Sequence, residues 1–256
     1  MRRPILAGNW KMNTCRESAG ALVSALAGQV PPARDDVEVV VCPPAVYIQT
    51  AVTAADGSGL QVGGQNVSDQ DSGAFTGETS CGMLTDLGCD WVIVGHSERR
   101  TLYGETDALV NSKVRKAISG GLKVIVCVGE LLEQRQAGET EVVLQSQMTG
   151  SLVDLSVEDM SDVVVAYEPV WAIGTGQVAT DEQAQEVHVF LRNWLQARFG
   201  PGVAVATRIL YGGSVKAGNA AGLLSQPDVD GALVGGASLT AEAFIPIIEA
   251  GAASVN

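Results

Sequence analysis

Eight short apolar runs, rich in β-branched residues, alternate with longer amphipathic segments along the whole chain. The runs are Ile5–Ala7, Val37–Val41, Leu60–Val62, Trp91–Val94, Val124–Val128, Val163–Tyr167, Arg208–Leu210 and Ala232–Val234. Several are apolar at every position rather than at every second one, which is typical of strands covered on both faces in a parallel sheet flanked by helices. Each repeat averages about 32 residues, the size of one strand with its helix and loops.

This repeated unit predicts that residues 1–256 form a single (β/α)8 barrel domain of the α/β class. Right-handed crossovers of eight such units close into a barrel, and no low-complexity linker divides the chain. A doubly wound open sheet is the competing architecture. It usually carries a Gly-rich phosphate loop after its first strand, where this chain has Gly8-Asn9-Trp10-Lys11. The barrel is therefore the favoured fold.

Two segments between the apolar runs have clear helical signals. Thr180–Phe199 begins with a capping-box pattern of Thr180 and Gln183, continues with apolar residues at helical spacing, and is stopped by Gly200-Pro201. Ala108–Ile118 shows the same organisation, with basic residues late in the segment. Both segments are predicted to be helices on the outside of the sheet.

The charge and apolar content exclude several classes of partner. A formal net charge of −13 at pH 7 makes nucleic acid or an anionic membrane an unsuitable partner. The longest apolar stretches, such as Val124–Val128, fall far short of the roughly 18 residues of a membrane span. The N-terminal segment Met1–Leu6 is basic but is not followed by the apolar core of a secretory signal. We therefore expect a cytoplasmic protein.

The cysteines and histidines give no sign of a metal site. The five cysteines, the first of which is Cys15, form no Cys-x-x-Cys pair, which argues against a disulfide framework and a zinc site. Two histidines cannot build a His-rich metal centre. Cys127 lies within an apolar run and His188 within a predicted helix, so neither is assigned any chemistry. We expect no metal.

Polar residues and glycines follow several of the predicted strands. In a (β/α)8 barrel the reacting groups project from the carboxyl ends of the strands, so these residues are expected to meet at one end. Together they supply a base, an electrophile, a cation and a phosphate cradle, the parts needed to remove a proton next to a carbonyl. They are Asn9, Lys11, Gln65-Asn66, His96-Ser97-Glu98, Glu168, Gly212-Gly213-Ser214 and Gly235-Gly236.

Two other chemistries fit these residues less well. A Schiff-base lyase needs a lysine within a strand near the site, and Val163–Tyr167 offers none. A metal-dependent epimerase needs a cluster of histidines and carboxylates, which two histidines cannot build. Proton abstraction without a metal is therefore the favoured chemistry.

Six segments of the chain carry a family resemblance. The most specific runs from Ala166 to Gly176, AYEPVWAIGTG. The others are Asn9–Asn13, Gly73–Glu78, Gly95–Arg100, Tyr211–Val215 and Leu233–Ser238. Together they make the whole chain resemble the triosephosphate isomerase family, whose fold is the (β/α)8, or TIM, barrel, and in which the first of these segments holds the base and the lid. Residues 67–72 match the family least well.

The resemblance implies interconversion of dihydroxyacetone phosphate and D-glyceraldehyde 3-phosphate, in glycolysis and gluconeogenesis and without a cofactor. It implies Glu168 as the base that moves the proton and His96 as the group that polarises the carbonyl. Asn9 and Lys11 are implied to stabilise the enediolate and the charge of the ligand. The backbone amides implied to bind the phosphate are those of Gly174, Ser214, Gly235 and Gly236. Ser97 and Glu98 are implied to support the site.

Two expectations concern His96. A helix N-terminus just beyond the ring disfavours the imidazolium, so we expect a neutral imidazole. Ser97 is predicted to be the N-cap of that helix, which places amide donors beside the ring.

The segment after Glu168 is predicted to be a lid over the site. It comprises Pro169, Val170, Trp171, Ala172, Ile173, Gly174, Thr175 and Gly176. Pro169 and Trp171 stiffen its entering end, while Gly174 and Gly176 can absorb the change of dihedral angles on closure. Closure would exclude water from a reactive intermediate.

The long segment Gln65–Glu78 has an apolar tip at Phe75, which indicates that the tip is buried against something. The resemblance implies that this loop enters a partner subunit, with Thr76 near the other site, and hence that the protein is a homodimer. Two other functions stay open: another phosphate-binding barrel isomerase, or a non-catalytic binding or adhesion protein on the same fold.

Overall fold

The computed structural model describes residues 2–32, 34–174 and 177–254. Eight parallel strands form one closed barrel, in which each strand pairs with the next and β8 pairs back to β1. The strands are β1 Ile5–Asn9, β2 Glu38–Cys42, β3 Leu60–Gly64, β4 Trp91–Val94, β5 Lys123–Val128, β6 Val163–Tyr167, β7 Ile209–Tyr211 and β8 Gly231–Val234. The predicted barrel is confirmed, and the open sheet is excluded because Ile5 of β1 lies opposite Gly231 of β8.

The α-helices lie between the strands in sequence and pack on the outside of the barrel. Those within the described ranges are α1 Arg16–Ala27, α2 Ile48–Ala55, α3 Cys81–Asp86, α4 Ser97–Tyr103, α5 Asp107–Ser119, α6 Leu132–Gln136, α7 Thr140–Ser151, α8 Asp181–Phe199, α9 Pro201–Ala206, α10 Ala217–Leu224 and α11 Ala241–Ala253. The predicted capping box of α8 is present. Thr180 Oγ1 accepts from the Gln183 N–H at 3.2 Å, and Gln183 Oε1 accepts from the Thr180 N–H at 3.0 Å.

The apolar core has two layers. The larger one lies between the strands and the helices. The smaller one fills the inside of the barrel with Ile5, Ala7, Val40, Cys42, Trp91, Ile93, Ile125, Cys127, Val164, Ala166, Leu210 and Leu233. Because these side chains close the interior, a ligand site has to lie at an end of the barrel.

His188 is buried on the barrel side of α8. Its ring centroid lies 6.0 Å from that of Tyr167 and 6.4 Å from that of Tyr211. Its Nδ1–H donates to the Asp228 carbonyl at 3.1 Å. Burial lowers the pKa of His188 to about 4, and the nearby Arg192 guanidinium acts in the same direction.

We expect His188 to make the protein less stable in weak acid. The unfolded chain takes up a proton at this histidine near pH 6.5, whereas the folded protein does so only near pH 4. The stability it contributes is therefore complete above pH 6.5 and is lost as the pH falls towards 4, by about 3 kcal/mol over that range. Urea unfolding at fixed protein concentration should show this slope in the wild type and a shallower one in His188→Gln. Equal slopes for the two proteins would contradict the assignment, because carboxylates contribute equally to both.

Candidate active site

A cavity of about 580 Å³ opens at the carboxyl ends of the strands. Every residue predicted to catalyse or to bind substrate lines it: Asn9, Lys11, His96, Glu168, Gly174, Ser214, Gly235 and Gly236. Ser97 and Glu98 do not line this cavity and contact the residues that do. The topology thus brings groups from β1, β4, β6, β7 and β8 to one place.

Glu168 and His96 are in direct contact. Glu168 follows β6, and its carboxylate is almost completely buried. Its Oε1 lies 2.8 Å from His96 Nε2, and its Oε2 accepts a hydrogen bond of 2.8 Å from the Ser97 N–H. A buried carboxylate with two donors is well compensated, and both of its partners come from the turn after β4.

His96, and not Ser97, is the N-cap of α4. The prediction for Ser97 was wrong, because α4 begins at Ser97 itself and the His96 Nδ1 accepts from the Glu98 N–H at 3.2 Å. An unprotonated ring nitrogen accepts a helix N–H as an Asn or Ser oxygen does. This bond places the proton of a neutral ring on Nε2, the nitrogen that faces Glu168.

The pKa of His96 does not follow the simple helix argument. Burial lowers it, but the neighbouring Glu168 carboxylate more than reverses this effect and raises the pKa above its ordinary value. For Glu168 the signs are reversed. Burial raises its pKa, while His96 and the Ser97 N–H lower the pKa below its ordinary value. The expected shift of His96 towards the neutral form is thus opposed as long as the two side chains touch.

Lys11 is held at the mouth of the cavity in a strained backbone conformation. Its φ of +53° is uncommon for a residue with a side chain. The Lys11 N–H donates to Asn9 Oδ1 at 3.0 Å, and Gln65 Nε2 donates to the carbonyls of Lys11 and Cys42, both at 2.8 Å. The Lys11 Nζ lies 2.6 Å from Glu98 Oε1. Gln65, which was predicted both at the strand ends and at the start of the intersubunit loop, therefore holds the backbone of Lys11.

Glycines after β7 and β8 leave room for close approach to the cavity. Gly235 and Gly236 follow β8, and the Ser238 hydroxyl lies within hydrogen-bonding distance of the Val234 and Gly235 carbonyls and so fixes their turn. A Cβ at Gly212 would lie 2.8 Å from Cγ of Glu168. Only glycine at this position therefore leaves the Glu168 side chain where it is.

The start of the predicted lid is anchored by a buried carboxylate. Trp171 Nε1 donates to Glu130 Oε1 at 2.8 Å, and Tyr167 Oη donates to the same oxygen at 3.1 Å. The Arg135 guanidinium lies 3.3 Å from this oxygen and 4.9 Å from the centroid of a Trp171 ring. Sequence reasoning missed Glu130, although its place directly after β5 was a usable signal.

The predicted lid is described only as far as Gly174. Pro169 precedes a 3₁₀ turn at Val170–Ala172, and Ile173 and Gly174 line the cavity. The other two predicted lid residues, Thr175 and Gly176, lie outside the described residues.

A second, smaller cavity adjoins the first. It has a volume of about 280 Å³, and Lys11, Met12, Gln65, Glu98 and Tyr103 contribute to its lining. Residues 70–78 of the loop after β3, including Phe75 and Thr76, are exposed. Large apolar side chains are also exposed beside the small cavity, with Met12 at 96% and Tyr103 at 71% exposure.

Two further observations apply to the ranges that the structure describes. They contain no group of three or more His, Cys, Asp or Glu side chains arranged to hold a metal ion. None of their helices combines the length and apolar character needed to cross a membrane.

All five cysteines are free thiols, four of them buried, and burial raises the pKa of Cys127 well above its ordinary value.

Comparison with known proteins identifies the family. The family model described as triosephosphate isomerase matches residues 4–251. A triosephosphate isomerase of Rhodopirellula baltica is 53% identical over 97% of this chain and 98% of its own. Those of Moorella thermoacetica and Trichlorobacter lovleyi are 54% and 52% identical, again over 97% of this chain and 98% of theirs. The chain belongs to the triosephosphate isomerase family.

Proposed function

We propose that this protein is a triose-phosphate isomerase, an intramolecular aldose–ketose isomerase that acts in glycolysis and gluconeogenesis. It interconverts dihydroxyacetone phosphate and D-glyceraldehyde 3-phosphate. The observation that carries the proposal is the contact between Glu168 Oε1 and His96 Nε2, 2.8 Å apart in a cavity that Lys11 also lines. A carboxylate and an imidazole this close can act on adjacent atoms of one triose.

Glu168 is the base in this mechanism. Its carboxylate leaves its present partners and takes a proton from C1 of dihydroxyacetone phosphate. The C–H electron pair becomes the C1–C2 double bond, and the carbonyl π pair moves to the C2 oxygen, giving an enediolate. The proton on Glu168 then returns to C2, the C1 hydroxyl loses its proton as the aldehyde forms, and the C2 oxygen gains one, so no net proton is lost. One proton moves between adjacent carbons, so the step needs no redox partner.

His96 is the electrophile. The hydrogen bond that its Nδ1 accepts from the Glu98 N–H directs the Nε2–H into the cavity. When Glu168 turns to the substrate, this N–H becomes available to the carbonyl oxygen, and the carboxylate that raises the pKa of His96 is no longer against the ring. A neutral imidazole can then give a proton to one oxygen and take one from the other.

The remaining lining residues fit a phosphate and an enediolate. Lys11 supplies a positive charge, and Asn9 an amide on the same side of the cavity. Backbone N–H groups of Gly174, Ser214, Gly235 and Gly236 bind the phosphate, because amides bind a dianion without the desolvation cost of a buried cation. Ser97 and Glu98 act by holding Glu168 and Lys11.

A coupled assay with D-glyceraldehyde 3-phosphate tests the function. Rapid formation of dihydroxyacetone phosphate supports the proposal. Turnover of a different phosphorylated sugar with none of this triose would favour another barrel isomerase. Binding of inorganic phosphate without any turnover would favour a non-catalytic binding protein.

The protein is also proposed to be a homodimer. The exposed loop tip at Phe75 and the adjoining apolar side chains, such as Met12 and Tyr103, would be covered by a second copy of the chain. Such a dimer would bury Thr76 near the partner's site.

Reaction in the cytoplasm is supported by five free thiols, which persist in a reducing compartment. The net charge of −13 favours neither a nucleic acid nor an anionic membrane as a partner.

We expect Phe75→Glu to dissociate the dimer, because a charged side chain cannot be buried at the interface without a partner. In sedimentation equilibrium the wild type should behave as twice the 26.5 kDa chain and the variant as one chain. The control is Val142→Glu on α7, an exposed apolar residue outside this face, and this variant should remain dimeric. A wild type that is both monomeric and fully active would contradict the proposal.

A further inference from the structure

The side chain of Arg100, on α4, joins the ends of two neighbouring strands. Its Nε donates to the Gly95 carbonyl at 2.8 Å, directly after β4. One terminal nitrogen donates to the Cys127 carbonyl of β5 at 3.2 Å and to Ser151 Oγ at 3.1 Å. The other lies 2.5 Å from Asp107 Oδ1 on α5. All three guanidinium nitrogens therefore donate hydrogen bonds, and the side chain is largely buried.

The turn after β4 is shaped around this guanidinium. Gly95 has a φ of +69°, and a Cβ there would lie 3.2 Å from Arg100 Nη2 and 2.9 Å from Val110. The backbone N–H of Arg100 also donates to the His96 carbonyl at 3.1 Å. That backbone bond belongs to the first turn of α4 and would form with any residue at this position, whereas the bond from the guanidinium to the Gly95 carbonyl needs the arginine side chain.

This turn carries both partners of Glu168. His96 presents Nε2 to one carboxylate oxygen, and Ser97 donates its N–H to the other. We propose that Arg100 is a positioning residue for the reaction: its guanidinium fixes residues 95–97 to the end of β5 and so sets the place of His96 against Glu168. The inference rests on the proposed function.

The geometry distinguishes this role from that of a simple ion pair. The Asp107 side chain is 30% exposed, and an ion pair open to water contributes little. The Gly95 and Cys127 carbonyls, by contrast, are bound by one planar guanidinium, a geometry that lysine cannot reproduce, although a lysine can reach one of the two. Loss of the fork frees the turn to shift, and a displacement of 1 Å at a reacting group can cost about 10²-fold in rate.

The test compares Arg100→Gln and Arg100→Lys with Asp107→Asn, which removes the ion pair and keeps the fork. We expect Arg100→Gln to lower kcat by about 10- to 100-fold with little change in KM or in inhibition by inorganic phosphate. The pH profile of kcat should also shift, because the contact between His96 and Glu168 sets their pKa values. Arg100→Lys should recover part of the rate, and Asp107→Asn should resemble the wild type.

A readout that does not need activity separates this inference from the proposed function. The chain has two histidines, so ¹⁵N-histidine labelling gives one ring at the site and His188 as an internal reference. The Nε2 signal of His96 should move in Arg100→Gln while that of His188 stays in place. Folded Arg100 variants with an unmoved His96 signal and an unchanged pH profile would overturn the inference, as would equal effects from Asp107→Asn. Inactive wild-type protein would instead refute the proposed function.

Discussion

Glu168→Gln is expected to lower kcat by on the order of 10²–10⁴-fold, the usual contribution of a positioned general base. The amide can still accept the hydrogen bond from the Ser97 N–H and occupies the same volume, so the cavity keeps its shape. It cannot take up a proton from carbon, however, and this removes the step on which turnover depends. Steady-state kinetics with D-glyceraldehyde 3-phosphate measure the loss, and inhibition by inorganic phosphate should stay within about twofold, since the amide cradle is untouched.

Two further variants make this result specific. His96→Asn should also lower kcat strongly, and the double variant should lose less than the product of the two, because the residues act as a unit. Glu141→Gln, on the exposed face of α7, removes a carboxylate away from the cavity and should retain full activity. A Glu168→Gln variant within tenfold of the wild-type kcat would show that another group removes the proton.

The fold was predictable because its pattern is local and repeated. Trp91–Val94 and Val163–Tyr167 are strands with the predicted bounds, since continuous apolar runs mark both. The prediction for Arg208–Leu210 was displaced by one residue. The strand begins at Ile209, whose N–H donates to the Asp230 carboxylate. Arg208 precedes the strand, and its Nη1 lies 3.7 Å from Oε2 of Glu38 at the amino end of β2.

The chemistry of the site was harder to predict because it depends on where side chains point. The rule that reacting groups follow the strands places Glu168 and His96 at one end of a barrel. It does not predict that the two side chains touch, or how that contact changes the pKa of each. The αL conformation of Lys11 has no local signal, since lysine does not favour it and the surrounding bonds impose it. Arg100 lies in a motif that was recognised, yet its partners are 5–51 residues away along the chain.

Deletion of residues 170–173 from the lid is expected to cost about 10²–10³-fold in kcat/KM, as for the loss of a preorganised donor. The deletion removes Trp171, which holds the lid to Glu130, and displaces Gly174, whose amide is proposed to bind the phosphate. Water then reaches the enediolate, whose phosphate is placed to leave from the adjacent carbon. The fraction of substrate converted to inorganic phosphate should therefore rise, which ³¹P NMR of the reaction mixture measures directly.

Glu130→Gln provides the comparison for this deletion. It keeps the full length of the lid and an acceptor for Trp171 Nε1, but it removes the charge that attracts Arg135. It should therefore change how firmly the lid is anchored and leave the lid able to cover the intermediate, so we expect altered kcat with no added release of inorganic phosphate. If the deletion variant folds, turns over at the wild-type rate and releases no extra phosphate, the segment is an ordinary surface loop. The barrel end alone would then have to exclude water.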